Sequence, residues 1–290
     1  MRTRNLYKAY EVEFKSLQTL DGETKRNNYF ELISIVEGTG VQVVNKNRFN
    51  YRKGNLFLLT PKDTYSFNAH TSSQFLLLRF TELFITEKKE TDKYAVDQIN
   101  YILQNASHRP GCILKNKADK PLIAALVESI IQEQTNQQLY FSRITEQIVN
   151  TIITIVARNI ALKLPKNIKE NTGEPILEML QYIQQNILDS KMLRAENLSK
   201  QCNISLSYLG RYFKKHTGDT LQDYILNYRL RLVETRLLHS DMRMNEIASE
   251  LNFTDESHLN RAFRKFKGMS PSDFKKLNSI NTASNITGTR

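Results

Sequence analysis

The sequence predicts an α+β protein: an N-terminal β-barrel with adjoining helices, then an all-α domain with two helix-turn-helix motifs joined by a long helix. Three patterns support this fold class. Between residues 29 and 80, short β-branched and aromatic runs alternate with turns, which is typical of a small antiparallel barrel or sandwich. From about residue 91, apolar residues recur at three- and four-residue spacing, which indicates helices. Near the C-terminus, one segment occurs twice.

The predicted strands of the N-terminal domain are bounded by turns that contain glycine, asparagine or proline. We assign residues 1–90 to this domain. The apolar runs that we expect to form strands are Tyr29–Val36, Val41–Val44, Phe49–Tyr51, Leu56–Leu59 and Gln74–Phe80.

Helical periodicity marks residues 93–106, 121–134 and 141–162. The last of these segments is apolar over more than one narrow stripe. We therefore expect it to pack both on its own domain and on a second copy of the protein. Residues 91–165 are assigned on this basis as a helical dimerisation segment.

Two polar segments flank the predicted C-terminal domain, which spans residues 176–278. Residues 166–175 are interrupted by proline and glycine and are assigned as an interdomain linker. The tail, residues 279–290, consists of small and polar residues and is expected to be disordered.

Composition favours an anionic partner. The chain of 290 residues has a net charge of +11, and nucleic acid is the first candidate for such a partner. The charge is spread over both halves, since residues 175–290 hold 17 Lys+Arg against 12 Asp+Glu, so local clustering must carry the argument. Two cysteines, Cys112 and Cys202, supply neither a disulfide framework nor a metal cluster. Without a signal peptide or a membrane span, a cytoplasmic protein is expected.

The duplicated segment comprises residues 209–224 and 259–274, which align at an offset of fifty residues. A repeat of this length indicates one supersecondary unit that is used twice. The unit has a helix that ends at glycine and is followed by a newly capped helix, as tandem helix-turn-helix modules require. The matched pairs are Leu209/Leu259, Arg211/Arg261, Phe213/Phe263, Lys215/Lys265, Gly218/Gly268, Thr220/Ser270 and Asp223/Asp273.

Each predicted module also has an asparagine at its turn. Asn203 and Asn252 lie where the turn requires a positive φ, which asparagine tolerates better than most residues. Ser205 in the first module, and Thr254 or Asp255 in the second, are expected to cap the following helix.

A single long helix over residues 220–239 is predicted to join the modules, with Thr220 as its cap and Asp223 in its first turn. It would span on the order of 30 Å, close to the roughly 34 Å between successive major grooves on one face of DNA.

The second helix of each module carries the candidate DNA contacts. Its Leu and Phe residues, four apart, should face the core, so the other faces are free to enter a major groove. An arginine there can hydrogen-bond a guanine edge with two donors. The candidate base-reading residues from this argument are Ser207, Gly210, Arg211, Ser257, His258, Asn260 and Arg261. The candidate phosphate-binding residues are Lys214, Lys215, Arg264, Lys265 and Lys267.

The stretch Arg229–Phe274 resembles the AraC/XylS family of bacterial transcription regulators. Its elements I-A, N-F, S-x-L, R-x-F, K-x-x-G and S-P-x-D-F are specific in combination. The resemblance covers residues 176–278 firmly and the N-terminal half loosely. It departs from the family at Asn252, where the family prefers glycine, at Val233 and at Leu259. The resemblance implies that the base-facing positions are Ser207, Gly210 and Arg211 in the first module and Glu256, Ser257, His258 and Arg261 in the second. Because Gly210 has no side chain, base reading by the first module would rest mainly on Arg211.

The resemblance implies a cupin-like sensor domain in the N-terminal half that binds a small-molecule effector of unknown identity. Glu31 and Tyr65 are the candidate effector-binding residues. It also implies a homodimer that binds double-stranded DNA, acts as an activator and can contact RNA polymerase. Neither a cofactor nor a membrane is implied.

Two other functions compete with an effector-controlled regulator. A constitutive DNA-binding regulator would leave some ninety residues of predicted barrel unexplained. A cupin-type metalloenzyme fused to a DNA-binding domain would need two histidines and a carboxylate inside the barrel. Residues 29–80 contain only His70, which makes an enzyme the weaker alternative.

Overall fold

The computed structural model describes residues 3–4, 6–17, 21–61, 63–81, 84–85, 103, 111–162 and 174–278. The described residues fall into two compact units, one N-terminal, up to residue 162, and one C-terminal, from residue 175. The predicted helix over 93–106 lies outside the described residues, except for residue 103. The predicted linker, apart from its last two residues, and the predicted disordered tail also lie outside them. No helix among the described residues is long and apolar enough to span a membrane.

The N-terminal unit is built from short strands, as its alternating apolar runs predict. The strands are β1 (Thr3–Arg4), β2 (Tyr10–Leu17), β3 (Asp21–Asn27), β4 (Phe30–Glu37), β5 (Thr39–Val44), β6 (Asn47–Arg52), β7 (Leu56–Leu59), β8 (Thr64–Ala69) and β9 (Ser73–Phe80). Each predicted apolar run falls within a strand, or nearly so, whereas the sequence analysis did not predict β1, β2, β3 or β8.

The strands form two sheets with the orders β1-β3-β8-β5-β6 and β2-β9-β4-β7. All pairs are antiparallel except β1 with β3. One buried cluster draws side chains from both sheets, including Ile33 of β4, Val44 of β5 and Phe67 of β8. The two sheets therefore face each other across a shared apolar interior.

The outer face of the second sheet is buried as well. Phe30 and Leu32 of β4 alternate with the inward-facing residues and are fully buried. The segment that follows reaches this sheet, because the Ile113 amide donates a hydrogen bond of 2.8 Å to the Leu56 carbonyl. The Tyr10 hydroxyl likewise donates to the Ser142 carbonyl at 3.4 Å. Both faces of β4 thus contribute to the core.

After the strands, the described part of the N-terminal unit contains the long helices α1 (Asp119–Asn136) and α2 (Phe141–Ala161). The side chain of Asn159 in α2 anchors the start of α1. Its Nδ2 donates a hydrogen bond of 2.6 Å to the Asp119 carboxylate, and its Oδ1 accepts one of 2.9 Å from the backbone amide of Lys115. The buried face of α2 runs through Val149, Ile152 and other residues. Ile144, an apolar residue near the start of the same helix, is 43% exposed.

Helices joined by turns and loops make up the described residues of the C-terminal unit, with no strand among them. Its helices are α3 (Glu174–Gln185), α4 (Ala195–Gln201), α5 (Leu206–Thr217), α6 (Leu221–His239), α7 (Met244–Glu250), α8 (Glu256–Lys267) and α9 (residues 271–278). The predicted connecting helix is confirmed as α6. Its Thr220 cap is also confirmed, because the Thr220 hydroxyl accepts from the Asp223 amide at 3.2 Å.

Candidate functional site

The turns of the two helix-turn-helix modules have the same backbone conformation. Asn203 has a φ of 50° and Asn252 a φ of 57°, as predicted. In the first turn the Ile204 amide donates to the Ser199 carbonyl, and in the second the Phe253 amide donates to the Ala248 carbonyl. The two turns are therefore the same structure at an offset of 49 residues, which follows from the residue pairs in these bonds.

The second module has one extra residue between its turn and its recognition helix, because helices α5 and α8 begin fifty residues apart. Asp255 is the N-cap of α8, and its carboxylate accepts from the His258 amide at 2.7 Å. The alternative cap, Thr254, lies outside the helix. Ser205 is at the N-cap position of α5, but its side chain makes no capping hydrogen bond, contrary to expectation.

The predicted core pairs hold both recognition helices in place. Leu209 and Phe213 of α5 are 1% and 0% exposed, and Leu259 and Phe263 of α8 are both 0% exposed. The residues expected to enter a groove point away from these pairs. Ser207, Gly210, Arg211, Glu256, Ser257 and Arg261 are exposed, whereas His258 and Asn260 are half-buried.

His258 has a structural partner within its own module. Its ring lies 5.5 Å from the ring of Phe253, and its Nδ1 accepts a hydrogen bond of 3.4 Å from the Thr254 amide. These contacts orient the imidazole beside the turn. Part of its surface stays accessible at the start of α8, so its assignment to base reading remains a prediction.

The predicted phosphate-binding residues differ in how accessible their side chains are to DNA. Lys214, Lys215, Arg264 and Lys265 are exposed in the last turns of α5 and α8. The Lys267 ammonium forms an ion pair of 2.9 Å with Glu234 of α6 and lies 5.7 Å from the centre of the Phe274 ring. Lys267 therefore ties α8 to α6 and is less available to DNA than the other four.

An aromatic row on α5 was not among the predicted site residues. Tyr208, Tyr212 and His216 are four residues apart, with ring centres 5.9 Å and 4.5 Å apart along the row. The Arg211 guanidinium lies 5.7 Å from the centre of the Tyr208 ring. The four-residue spacing of these side chains in the sequence is the signal that would have revealed the row. The row places the Tyr208 ring beside Arg211, the predicted base-reading arginine of α5.

The second candidate site is a polar cluster inside the N-terminal unit, and it brings together the two predicted effector-binding residues. The Tyr65 hydroxyl donates to Glu31 Oε2 at 2.5 Å, and Asn27 Nδ2 donates to the same oxygen at 2.9 Å. Arg79 Nε donates to Glu31 Oε1 at 2.8 Å. Glu31 is 1% exposed, so its carboxylate is held entirely by these neighbours.

Arg79 serves three carboxylates. Glu11, Arg79 and Glu31 are directly opposite one another across β2, β9 and β4, so their side chains share the inner face. Arg79 Nη1 and Nη2 contact Glu11 at 3.1 Å and Glu13 at 2.5 Å. Sequence reasoning missed Arg79, because only the strand register places it between the glutamates.

The electrostatics of this cluster keep both donors protonated. Burial, followed by the neighbouring Glu31 carboxylate, raises the pKa of Tyr65 well above its usual value. Burial by itself lowers the pKa of Arg79, but its hydrogen bonds and ion pairs with Glu31 and Glu13 outweigh that effect and raise the pKa. Tyr65 is therefore a neutral hydrogen-bond donor and Arg79 a cation over the physiological range.

Gln42 of β5 lies on the inner face of the other sheet, the one that contains Tyr65. It is opposite Phe67 of the core cluster, and it is two residues from Val44, which is opposite Tyr65. Gln42 is 0% exposed, and neither its amide nitrogen nor its amide oxygen has a hydrogen-bond partner among the described residues. The side-chain oxygen of Asn27, Oδ1, likewise has no hydrogen-bond partner among the described residues. Such groups are costly to bury without partners.

The metalloenzyme alternative finds no site in the part of the chain that the structure describes. Within those residues, no three His, Cys, Asp or Glu side chains are grouped so that they can hold a metal ion. His70 is exposed at a bend between β8 and β9.

Comparison with known proteins places both halves of the chain. Residues 198–277 match the family described as a helix-turn-helix domain, and residues 19–85 match the family described as an AraC-like ligand binding domain. The chain is 24% identical over 262 residues to the Msm operon regulatory protein of Streptococcus mutans, which covers 88% of this chain and 86% of that protein. It is 23% identical over 254 residues to the HTH-type transcriptional activator RhaS of Escherichia fergusonii, at 86% coverage of each.

Among solved structures, the C-terminal domain of AraT, a response regulator from Geobacillus stearothermophilus, aligns with a TM-score of 0.35 and 24% identity. That alignment covers 37% of this chain and 88% of the AraT domain. The chain has a ligand-binding type of β domain, followed in the sequence by two helix-turn-helix modules that one helix joins. This combination defines a DNA-binding transcription regulator. The chain belongs to the AraC family of such regulators.

Proposed function

We propose that this protein is a transcription activator that binds DNA as a dimer under the control of a small, uncharged effector. The DNA-binding part of the proposal rests on one observation, which is that Arg211 and Arg261 occupy corresponding positions in the two modules. Both are exposed at matched positions of recognition helices with the same turn and the same buried Leu and Phe. An arginine so placed can read guanine through two hydrogen bonds.

The connecting helix supports binding of both modules to one DNA site. Helix α6 has 19 residues and spans about 28 Å at roughly 1.5 Å per residue. Successive major grooves on one face of B-DNA are about 34 Å apart, so the length of α6 is close to the separation that two modules need. Selection of bound sequences from random DNA tests this, with two conserved elements about one helical turn apart as the expected result. Recovery of sequences without a common element would refute sequence-specific binding.

Gln42 supports the effector part of the proposal. Its buried amide has one donor group and one acceptor without partners among the described residues, and it lies on the inner face of the sheet that also holds Tyr65. A ligand with hydroxyl or amide groups would satisfy both. The Glu31 charge is already balanced by Arg79, and no further cation lies in the cluster of hydrogen-bonded residues described above, so an anionic ligand is disfavoured.

Thermal-shift screening of the full chain with monosaccharides, polyols and carboxylates tests the effector proposal. A ligand at a hundred times its Kd should add about 2.7 kcal/mol of stability. We expect a shift with an uncharged compound and its loss in Gln42→Leu, which removes both polar atoms at similar size. A shift that survives in Gln42→Leu would place the ligand elsewhere, and one caused only by carboxylates would contradict the predicted ligand class.

Exposed apolar residues of the helical pair support dimerisation. Leu122 of α1 is 44% exposed and Ile144 of α2 is 43% exposed, although both belong to apolar helical patterns. We expect the full chain to sediment as a dimer and Ile144→Glu to weaken that dimer. Thr154→Glu, at an exposed polar position of α2, is the matched control. An unchanged dimer in Ile144→Glu would exclude this face.

The activator part follows from the relatives, since RhaS is named as a transcriptional activator. Transcription from a selected site, with and without the protein, measures its direction. An increase is expected, and a decrease would identify a repressor.

A further inference from the structure

The loop between α3 and α4 is held in a defined shape by its own side chains. The Asp189 carboxylate accepts hydrogen bonds from the amides of Lys191 and Met192, at 2.9 Å and 3.3 Å. Asn197 Nδ2 donates to the Lys191 carbonyl at 2.8 Å, and Ile187 is fully buried. The loop precedes the first helix-turn-helix module and offers a fixed set of backbone carbonyls.

Asn252, the turn residue of the second module, binds this loop with both ends of its amide. Its Nδ2 donates to the Leu188 carbonyl at 2.8 Å, and its Oδ1 accepts from the Ser190 hydroxyl at 3.0 Å. These bonds join residues 62 and 64 positions apart in the sequence, so they connect the second module to the approach of the first. The equivalent residue of the first module, Asn203, makes no side-chain hydrogen bond among the described residues.

The left-handed backbone at Asn252 does not explain the choice of asparagine, because glycine adopts a φ of 57° more easily. What asparagine adds over glycine is the side-chain amide, and both of its polar ends are used. The loop has a further anchor on α6, since Arg229 Nε and Nη2 donate to the Ile187 carbonyl at 3.3 Å and 3.2 Å.

The second module is in turn fixed to α6. Arg236 of α6 forms two hydrogen bonds of 2.8 Å with Glu250 of α7, and the Lys267–Glu234 ion pair joins α8 to the same helix. The loop, α6 and the second turn thus form a closed set of polar contacts, in which Asn252 is the direct link from turn to loop.

We propose that Asn252 is a positioning residue that sets the angle between the two recognition helices, and thereby the spacing of DNA elements that the protein accepts. This inference rests on the proposed binding of both modules to one DNA site. Inserting one base pair between two elements moves the second by about 3.4 Å and rotates it by roughly 35°. A rigid pair of modules resists that change, whereas a pair released from the loop can follow it.

The test compares three full-length variants with the wild type on DNA whose two elements are kept but separated by one base pair more or fewer. Asn252→Gly keeps the backbone conformation and removes both bonds, and Ser190→Ala removes one bond without altering the turn. Asn203→Gly is the matched control, because it makes the same change at the equivalent turn of the first module. Each protein is also measured on DNA with a single base changed within an element.

For the wild type we expect a loss of affinity on the altered spacing. In Asn252→Gly this loss should be about three- to tenfold smaller, the change that one or two net hydrogen bonds produce. Ser190→Ala should show a smaller relaxation, and Asn203→Gly none. Discrimination between bases within each element should be unchanged in all three variants.

A spacing penalty in Asn252→Gly equal to that of the wild type would overturn the inference. So would a loss of base discrimination together with the spacing preference, because Asn252 would then support folding of the second module rather than its angle. If the wild type distinguished neither bases nor spacing, the proposed function itself would be refuted. The DNA sites with single-base changes distinguish this result from the two results above.

Discussion

Tyr65 donates a hydrogen bond of 2.5 Å to Glu31 across the interior that the two sheets share. These two residues, 34 positions apart in the sequence, come from different sheets. Their bond, together with Arg79, makes the polar cluster part of the architecture of the N-terminal unit. The proposed effector would therefore meet a side-chain network that is already ordered.

Removing Arg79 should destabilise the N-terminal unit more than any other single change in the cluster. Arg79→Leu leaves the Glu31 carboxylate, whose side chain is 2% exposed, without a counter-charge, and losing one partner of a buried pair costs about 3–5 kcal/mol. Glu13→Gln is the control, because the Glu13 side chain is 43% exposed and the expected loss is small. Urea unfolding monitored by circular dichroism measures both. Equal effects of the two variants would show that burial does not set the strength of these pairs.

Arg261→Ala and Lys265→Ala should weaken DNA binding in different ways. Loss of a base-reading arginine costs about 1–3 kcal/mol on the selected site and relaxes preference at one position. Loss of a phosphate-binding lysine weakens all sequences alike and flattens the salt dependence of binding by about one unit of slope. Titrations of both variants at several salt concentrations distinguish these outcomes. If Arg261→Ala kept both affinity and base preference, α8 would not be reading bases in the groove.

Gly210→Ala should stabilise the protein and yet weaken DNA binding. A Cβ at this position meets no atom within 4 Å in the free protein, and alanine in a helix is favoured over glycine by about 0.5–1 kcal/mol. A methyl group on the surface of α5 that we expect to enter the groove would nevertheless hold the backbone away from the bases. Unfolding and DNA titration of the same variant measure the two effects. Higher stability with unchanged affinity would show that Gly210 does not approach DNA.

Gly268→Ala is the comparison for that variant. Gly268 also has open space around it, but its φ of 77° lies in the left-handed region, which strains alanine. This substitution should lower the free energy of unfolding by about 1 kcal/mol, which is opposite in sign to Gly210→Ala.

Cys202 should react slowly with thiol reagents at pH 8. Burial, with a smaller effect of Glu178, raises the pKa of Cys202 to about 11, so only about one thiol in a thousand is ionised at pH 8. Because the thiolate is the reactive form, its labelling should accelerate about tenfold per pH unit up to its pKa. Iodoacetamide labelling of a Cys112→Ser variant between pH 7 and 10 isolates this thiol. Fast labelling at pH 7 would show that the first turn, where Cys202 ends α4, opens readily.

Local features of the C-terminal domain were predictable because they depend on neighbours in the sequence. The positive φ at Asn203, the Thr220 cap and the burial of Phe213 each follow from residue type and helical spacing within a few positions. The choice between Thr254 and Asp255 as a cap was not decided in this way, because both offer an oxygen. Because the second module has one extra residue before its recognition helix, Asp255 rather than Thr254 directly precedes α8 and caps it.

The sequence by itself determined the α+β class, the order of its elements and the double helix-turn-helix, since periodicity, turn residues and an internal repeat are written along the chain. The tertiary structure alone decided which distant polar groups meet. Arg79 reaches Glu31 and Glu13 only through the register of three strands, and Asn252 reaches Leu188 only through the packing of two modules. Such contacts depend on strand pairing and helix packing over tens of residues, a distance at which neither residue type nor local spacing specifies a partner.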